Sequence, residues 1–370
     1  MKFSCEKSLL LTAVNTASRA ASPKSDITAL EGLLIEADAG ITISGYDLKT
    51  GIRTSFPADV TEPGKLVLDA RLFGDIIRKL PDDVVTVESK DGVMTKIACA
   101  MSEFNILGTP AANYPELPTV DHQHSLRIKE GLLKAMISQT NFAVSTNEAR
   151  PIHTGELFET DGETLTMVAV DGYRLALRRE KLETAAEPCS FVVPGTALAE
   201  IERIAGDGED AVVITLGTKH VLFEIGTTLV ISRRLEGEFL NYKSSIPHDG
   251  KFVVKASRRA VIEAVERVSL IISDKQKSPV RCTFGENALS MCTSTPLGKA
   301  YDECEVVGDG SGLEIGFNNK YVLDALKAAP ADEVFMQLST GVAPCVVIPA
   351  DGSRNFLYMI LPVRLRVNEG

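Results

Sequence analysis

The 370-residue sequence contains no tryptophan, aromatics make up only 6% of it, and there are just five histidines. Its seven cysteines, at 5, 99, 189, 282, 292, 304 and 345, are odd in number and never closer than ten residues apart. That spacing excludes CxxC redox motifs and zinc ribbons, and it reads as reduced thiols acting as small core hydrophobes. His122 and His124 form an HxH pair in a Pro-rich stretch with no third ligand nearby, so no metal and no cofactor is expected. No apolar run reaches the length of a membrane span. The opening MKFSCEKS puts charge where a signal peptide needs an apolar segment, so the expectation is a soluble, cytosolic chain. Positive charge is also short: 39 Lys and Arg stand against 50 Asp and Glu, a formal net charge of −11. Indiscriminate adhesion to nucleic acid or anionic lipid does not follow from such a balance.

Catalytic signatures are missing as well. There is no GxxxxGK[ST], HExxH, GxSxG or complete GxGxxG. GDGSG at 308–312 comes closest, but Leu313 takes the sixth position and a strand pattern follows, so it reads as a flexible turn. Asp82-Asp83 and Asp207/Glu209/Asp210 lie between helix and strand patterns and read as solvated turns, since acid–base pairs require a specific geometry.

What is present is a repeat. Residues 3–14, 126–137 and 252–265 each read as a short strand, a polar turn and an amphipathic helix. Their apolar faces are Leu10, Val14 and Ala17; Leu133, Met136 and Ile137; and Val261, Val265 and Val268. A second strand–turn–helix outline recurs at 65–80, 190–205 and 312–327, anchored by Leu66, Phe191 and Leu313. The starts are 123 and 126 residues apart and the anchors 125 and 122, so two landmarks give one period. Between them, 33–47, 164–180 and 288–304 alternate as antiparallel strands, with Asp171-Gly172 as a two-residue hairpin whose central positions both need positive φ. Pro- and polar-rich stretches at 108–124 and 236–250 mark the joins. The expected fold is α+β: three similar tandem domains, 1–120, 121–247 and 248–370, each with two helices and about eight strands.

Cations recur on or beside the helices: Lys7, Arg19 and Lys24; Arg71, Arg78 and Lys79; Lys134; Arg203; Arg258, Arg259 and Arg267; Lys320 and Lys327. Ordinary solvated faces explain these, and Glu200, Glu202, Glu263 and Glu266 fit that reading. The alternative is a shared cationic surface facing a phosphate backbone, which can act locally because salt screens over about 8 Å.

Seven segments together resemble the bacterial DNA polymerase III β-subunit family, the sliding clamps. They are MKFSCEKSLL, NYPELP (113–118), ARPIHTGELFE (149–159), VAVDGYRLAL (168–177), RRLEGEFLNYKSSIP (233–247), GFNNKYVLDAL (316–326) and YMILPVRL (358–365). The resemblance implies a non-enzymatic processivity factor: a head-to-tail homodimer closed into a ring, with helices around a central hole and sheets outside. Such a ring would encircle duplex DNA without sequence preference and tether polymerase subunits, the clamp loader and repair proteins through a short linear motif. It further implies a partner-peptide pocket at His153, Gly172, Tyr173, Arg174, Leu175 and Leu240, completed by Pro344 and the tail residues Met359, Ile360, Leu361, Pro362, Val363 and Arg364. Met359-Ile360-Leu361 equally reads as an ordinary terminal strand. His153 stands where an apolar residue is expected and Leu240 where proline is common, while Ser244 and Ser245 replace a more basic or apolar pair. Lys24, Arg150 and Asn147 are the implied DNA contacts; the Gly195-Thr196 loop lacks the basic residues expected there. Phe104 and Ile106 are the implied partners of Ile271 and Ile272 across the ring interface, though core packing explains them too. Two alternatives stay open: a scaffold of the same fold that never encircles DNA, and an enzyme whose site no motif reveals.

Overall fold

The computed structural model describes residues 1–90, 93–247, 250–273 and 278–365. Each repeat outline forms as expected, but strand passes into helix with at most one residue between. Lys2–Glu6 runs directly into α1 (Lys7–Ala17), and Gly64–Asp69 into α2 (Ala70–Lys79). His124–Lys129 continues as α3 (Glu130–Thr140), and Cys189–Pro194 as α4 (Gly195–Ile204). After the one-turn α5 (Tyr242–Ser245), Phe252–Ser257 leads into α6 (Arg258–Ser269) and Gly298–Phe317 into α7 (Asn319–Ala328). Side-chain caps replace turns at three junctions: Asp69 accepts from the Leu72 amide, Ser257 from Ala260 and Asn318 from Lys320. A single capping oxygen satisfies an otherwise orphaned helix amide, so no longer connection is needed. The predicted apolar faces are the buried ones, including Leu10, Val14, Leu133, Met136, Val261 and Val265.

The chain forms two compact units. The first comprises Met1–Lys134, Glu183–Glu187 and Glu200–Arg234. It holds a five-stranded sheet in the order Asp59–Glu62, Lys2–Glu6, Val84–Lys90, Met94–Cys99, Ser102–Leu107. A nine-stranded sheet follows from Thr109–Pro110 through Gly64–Asp69, Gly32–Ala37, Ile41–Tyr46 and Thr50–Phe56. It continues through Thr228–Arg233, His220–Ile225, Ala211–Leu216 and His124–Lys129. Two repeats share this sheet, with Ile52 opposite Val230 at the seam. Phe3, Leu10, Val14, Ile43, Phe73 and Val87 form part of the core beneath α1 and α2.

The second unit comprises Ala135–Leu182, Pro188–Ala199 and the chain from Leu235 onward. Its ten-stranded sheet begins with Cys189–Pro194, Gly155–Thr160, Thr164–Val170 and Arg174–Lys181. Phe356–Ile360, Cys345–Pro349, Glu333–Leu338, Phe252–Ser257, Gly298–Phe317 and Val280–Thr295 complete it. Here too one ladder crosses between repeats, with Leu177 opposite Leu357. The third repeat has fewer strands than eight because Val280–Thr295 and Gly298–Phe317 run on for 16 and 20 residues. GDGSG lies inside the second of these, correcting the expected turn: the register jumps from Phe284↔Leu313 to Glu286↔Asp309, so residues 310–312 form a bulge. The acidic turns carry ion pairs, Asp82 to Lys7 at 2.8 Å and Asp207 to Lys134 at 2.9 Å.

One close approach fixes α1 on its sheet. A Cβ at Gly45 would collide with the Ala17 carbonyl oxygen at the C-terminal end of α1. Gly45→Ala should therefore destabilise the protein by about 1–3 kcal/mol, the usual cost of overpacking, as measured by urea unfolding.

Candidate functional site

Asp171 begins the turn that organises the second unit's surface. Its Oδ1 accepts from the amides of Tyr173 at 2.9 Å and Arg174 at 3.1 Å. The central residues of the hairpin are consequently Gly172 and Tyr173, and only Gly172 has positive φ, at 89°. This shifts the expected turn by one residue: an aspartate that caps the loop with its side chain cannot also occupy its tip. Arg174 leaves the turn inward. Its Nε donates to Asp171 at 2.9 Å, one terminal nitrogen to Asp324 on α7 at 2.6 Å, and the other to the Phe142 carbonyl at 2.7 Å. The guanidinium also lies 4.6 Å from the Tyr321 ring centroid, and only 9% of the side chain is exposed. Tyr173, 62% exposed, lies near-parallel to Tyr321 with ring centroids 6.2 Å apart.

The same hairpin holds the tail. Leu175 pairs with Met359 and Arg174 with Ile360, the Leu361 amide donates to the Tyr173 carbonyl at 2.9 Å, and the Val363 amide to Gly316 at 2.8 Å. Pro344 precedes Cys345, which pairs with Ile360 from the other side. Strand alternation then sorts these residues. Leu175, Leu177, Leu357 and Met359 share one face with Val346 and Tyr242. Ile360, with Phe356 and Tyr358, belongs to the other face and the core that includes α6 and α7. Ile360 is therefore not part of the wall expected of it: Met359 and Leu361 bracket that position from the outer side. Pro362 is half-buried, while Val363 and Arg364 are exposed.

Part of the outer face is covered by the chain around α5, through Leu235, Phe239, Tyr242 and Ile246. Tyr242 donates to Glu159 at 2.6 Å and Lys243 reaches the same carboxylate at 3.0 Å. Burial alone would raise the Glu159 pKa, but these donors outweigh it and hold it below the ordinary value. His153 packs edge-on against Phe239, with centroids 5.6 Å apart, so an imidazole fills the apolar position the resemblance implied. Burial, reinforced by Arg150, lowers its pKa below 6.5 and keeps the ring neutral near neutrality. Leu240 stands exposed beside Phe239, and the Ser244 and Ser245 hydroxyls turn back to the Asn241 carbonyl.

The implied DNA contacts lie on exposed loops. Lys24 is exposed, as are Asn147 and Arg150, with the Asn147 side chain accepting from the Ala149 amide at 3.0 Å. Many helix cations are paired within the chain, among them Lys7, Arg19, Lys134, Arg203, Arg259 and Lys327. Lys24, Arg71, Lys79, Arg150 and Lys320 have no ion pair among the described residues. The implied ring contacts differ from one another. Phe104, 39% exposed, sits on the edge strand Ser102–Leu107, whereas Ile106 packs on the first unit's core. Ile271 and Ile272 are half-buried just past α6. Leu107 and Leu270, 69% and 84% exposed, were missed at these same edges. Alternation along 102–107 and the break after α6 were the available signals.

Comparison with known proteins bears on these features together. Residues 1–118, 127–241 and 243–364 match, respectively, the N-terminal, central and C-terminal domains of the DNA polymerase III beta subunit. The chain belongs to the beta sliding clamp family. A beta sliding clamp of Staphylococcus aureus is 31% identical over 98% of this chain and 99% of its own length, and one from Halalkalibacterium halodurans is 32% identical with similar coverage. The crystal structure of the Bacillus subtilis DNA polymerase sliding clamp superposes with a TM-score of 0.94 at 31% identity, covering 99% of this chain and all of that one. That of a Eubacterium rectale beta subunit gives 0.93 at 32%, covering 98% and 99%. The clamp is thus a non-catalytic processivity subunit, and DNA and DNA polymerase are its partners.

The Arg174 contacts set a test. Arg174→Ala removes one donor each from two carboxylates and a carbonyl, and should cost about 2–4 kcal/mol given the partial exposure of the acids. Arg174→Lys should recover only a fraction, because an ammonium cannot reproduce the fork. Urea unfolding measures the first, and faster hydrogen exchange at the Leu361 amide reports the loosened tail.

Proposed function

We propose that the clamp works as a closed ring of two chains, each contributing three tandem domains, 1–120, 121–247 and 248–370. The observation that carries this reading is a pair of sheet edges that pair with no further strand among the described residues, together with exposed apolar side chains on the first edge and just past α6. Ser102–Leu107 ends the five-stranded sheet with Phe104 and Leu107 exposed, Val280–Thr295 ends the ten-stranded sheet, and Leu270 stands exposed directly after α6. An exposed edge with apolar side chains is a liability for a monomer unless another chain covers it. Head-to-tail contact of Phe104 and Ile106 with Ile271 and Ile272 covers both edges, and two such heterologous contacts close a ring.

In this reading Lys24, Arg150 and Asn147 touch the phosphate backbone of enclosed duplex, giving adhesion without base readout. Replacing Ile271 and Ile272 by Asp puts unpaired charge into the apolar contact and should give folded monomers. Sedimentation should fall from twice 39.9 kDa to 39.9 kDa, and retention on closed circular DNA should be lost. The parent should be retained on circular and released from linear DNA; equal release from both would favour a scaffold that does not encircle DNA.

Partners dock, we infer, as an extended peptide on the face of Leu175, Met359 and Leu361, beside Gly172, Tyr173, Leu240, Pro344 and His153. Arg174 serves there as a positioning residue, since its donors are spent within the fold. Two apolar anchors at about 1.5–3 kcal/mol each, with a few hydrogen bonds and less ordering costs, give micromolar affinity. Leu361→Ala should weaken a polymerase-derived docking peptide about tenfold in calorimetry, with dimer mass and DNA retention unchanged. Unchanged affinity would place docking elsewhere.

A further inference from the structure

The apolar stripe of the docking face does not stop at Leu175 and Met359. One step along the same ladder, Leu177 and Leu357 open into a cleft of about 300 Å3. Its floor adds Ile246 and Ile348, and its rim carries Arg179, Lys243 and Arg354. Among the described residues no carboxylate lines it. Lys243 pairs with Glu159, and Arg179 lies within electrostatic reach of the same carboxylate and bonds the Tyr242 side chain, whereas Arg354 makes no ion pair among the described residues. Arg354 also holds a left-handed backbone, φ 52°, two residues before the 356–360 strand.

We propose that this cleft is an annex to the docking groove that takes the acidic flank of a bound partner peptide. The inference rests on the docking reading above. Charge complementarity fixes the occupant: apolar side chains beside three cations, which share the single nearby carboxylate Glu159 among the described residues, suit an extended segment alternating apolar and acidic side chains. Contiguity fixes its place. Two residues of extended chain cover about 7 Å, the distance from Leu175 to Leu177 along a strand, so the acidic residues lie within about four positions of the anchoring residue. Arg179 and Arg354 bind carboxylates, while Leu177 and Leu357 receive the apolar side chain between them.

The test uses the full-length clamp and a polymerase-derived docking peptide made in three forms: unextended, extended by Glu-Leu-Glu, and extended by Gln-Leu-Gln, each extension placed at either end. The Glu-Leu-Glu form should bind about tenfold more tightly than the unextended peptide at one end only, and the gain should shrink with added salt. An Arg179→Gln, Arg354→Gln double variant should lose that gain while binding the unextended peptide as the parent does. If neither end gives a gain although the unextended peptide binds, the annex is wrong and the docking reading stands. If the unextended peptide does not bind, the docking reading itself fails. If free Glu-Leu-Glu binds the double variant and the parent equally, or gives the same affinity without the docking segment, the cleft is not an extension of the groove. A gain of equal size from Gln-Leu-Gln would overturn the role of the guanidiniums.

Discussion

The surface on which partners would land depends on one guanidinium. Arg174 ties a hairpin from the second repeat to a helix from the third, and to a carbonyl that precedes both. Each of its bonds is charge-assisted or made in a poorly solvated setting, where such bonds are worth more than in water. Because the tail strand pairs with the hairpin that this arginine holds, the tail's position follows from it. The apolar face of Leu175 and Met359 is firm because the charge beneath it is satisfied.

Alternation does the rest. A strand places successive side chains on opposite faces, so the tail sends Tyr358 and Ile360 into one core while Leu357 and Met359 build another. One five-residue strand thereby secures the helices behind it and shapes the face in front. The long strands of the third repeat show the same economy, since a bulge at 310–312 bends one continuous ribbon where the other repeats use separate strands.

Much of this was legible in the sequence. Period, strand-to-helix junctions and helix faces rest on local spacing, which is written along the chain. The hairpin was legible to within one residue; what displaced it was the Asp171 carboxylate, whose choice between tip and cap depends on the donors that fold around it. The partners of Arg174 were not legible, because Asp324 lies 150 positions away and nothing in either segment announces the other. Ile360 was readable in principle: once Met359 faces outward, its neighbour cannot. The exposed Leu107 and Leu270 are apolar in a pattern that also describes a core, so only the location of the sheet edge and the helix end separates them from it.

The shared ladders carry a consequence for how such a molecule could have arisen. The repeats look like copies of one ancestral segment, yet the 50–56 strand finds its neighbour at 228–233 and the 174–181 strand finds its own at 356–360. Each copy therefore completes its hydrogen bonding with borrowed backbone. An isolated copy would expose a raw sheet edge, so the ancestral segment would have needed another copy of itself to cover that edge. Self-association, on this view, came before duplication, and fusing the genes only made permanent a contact the backbone already required.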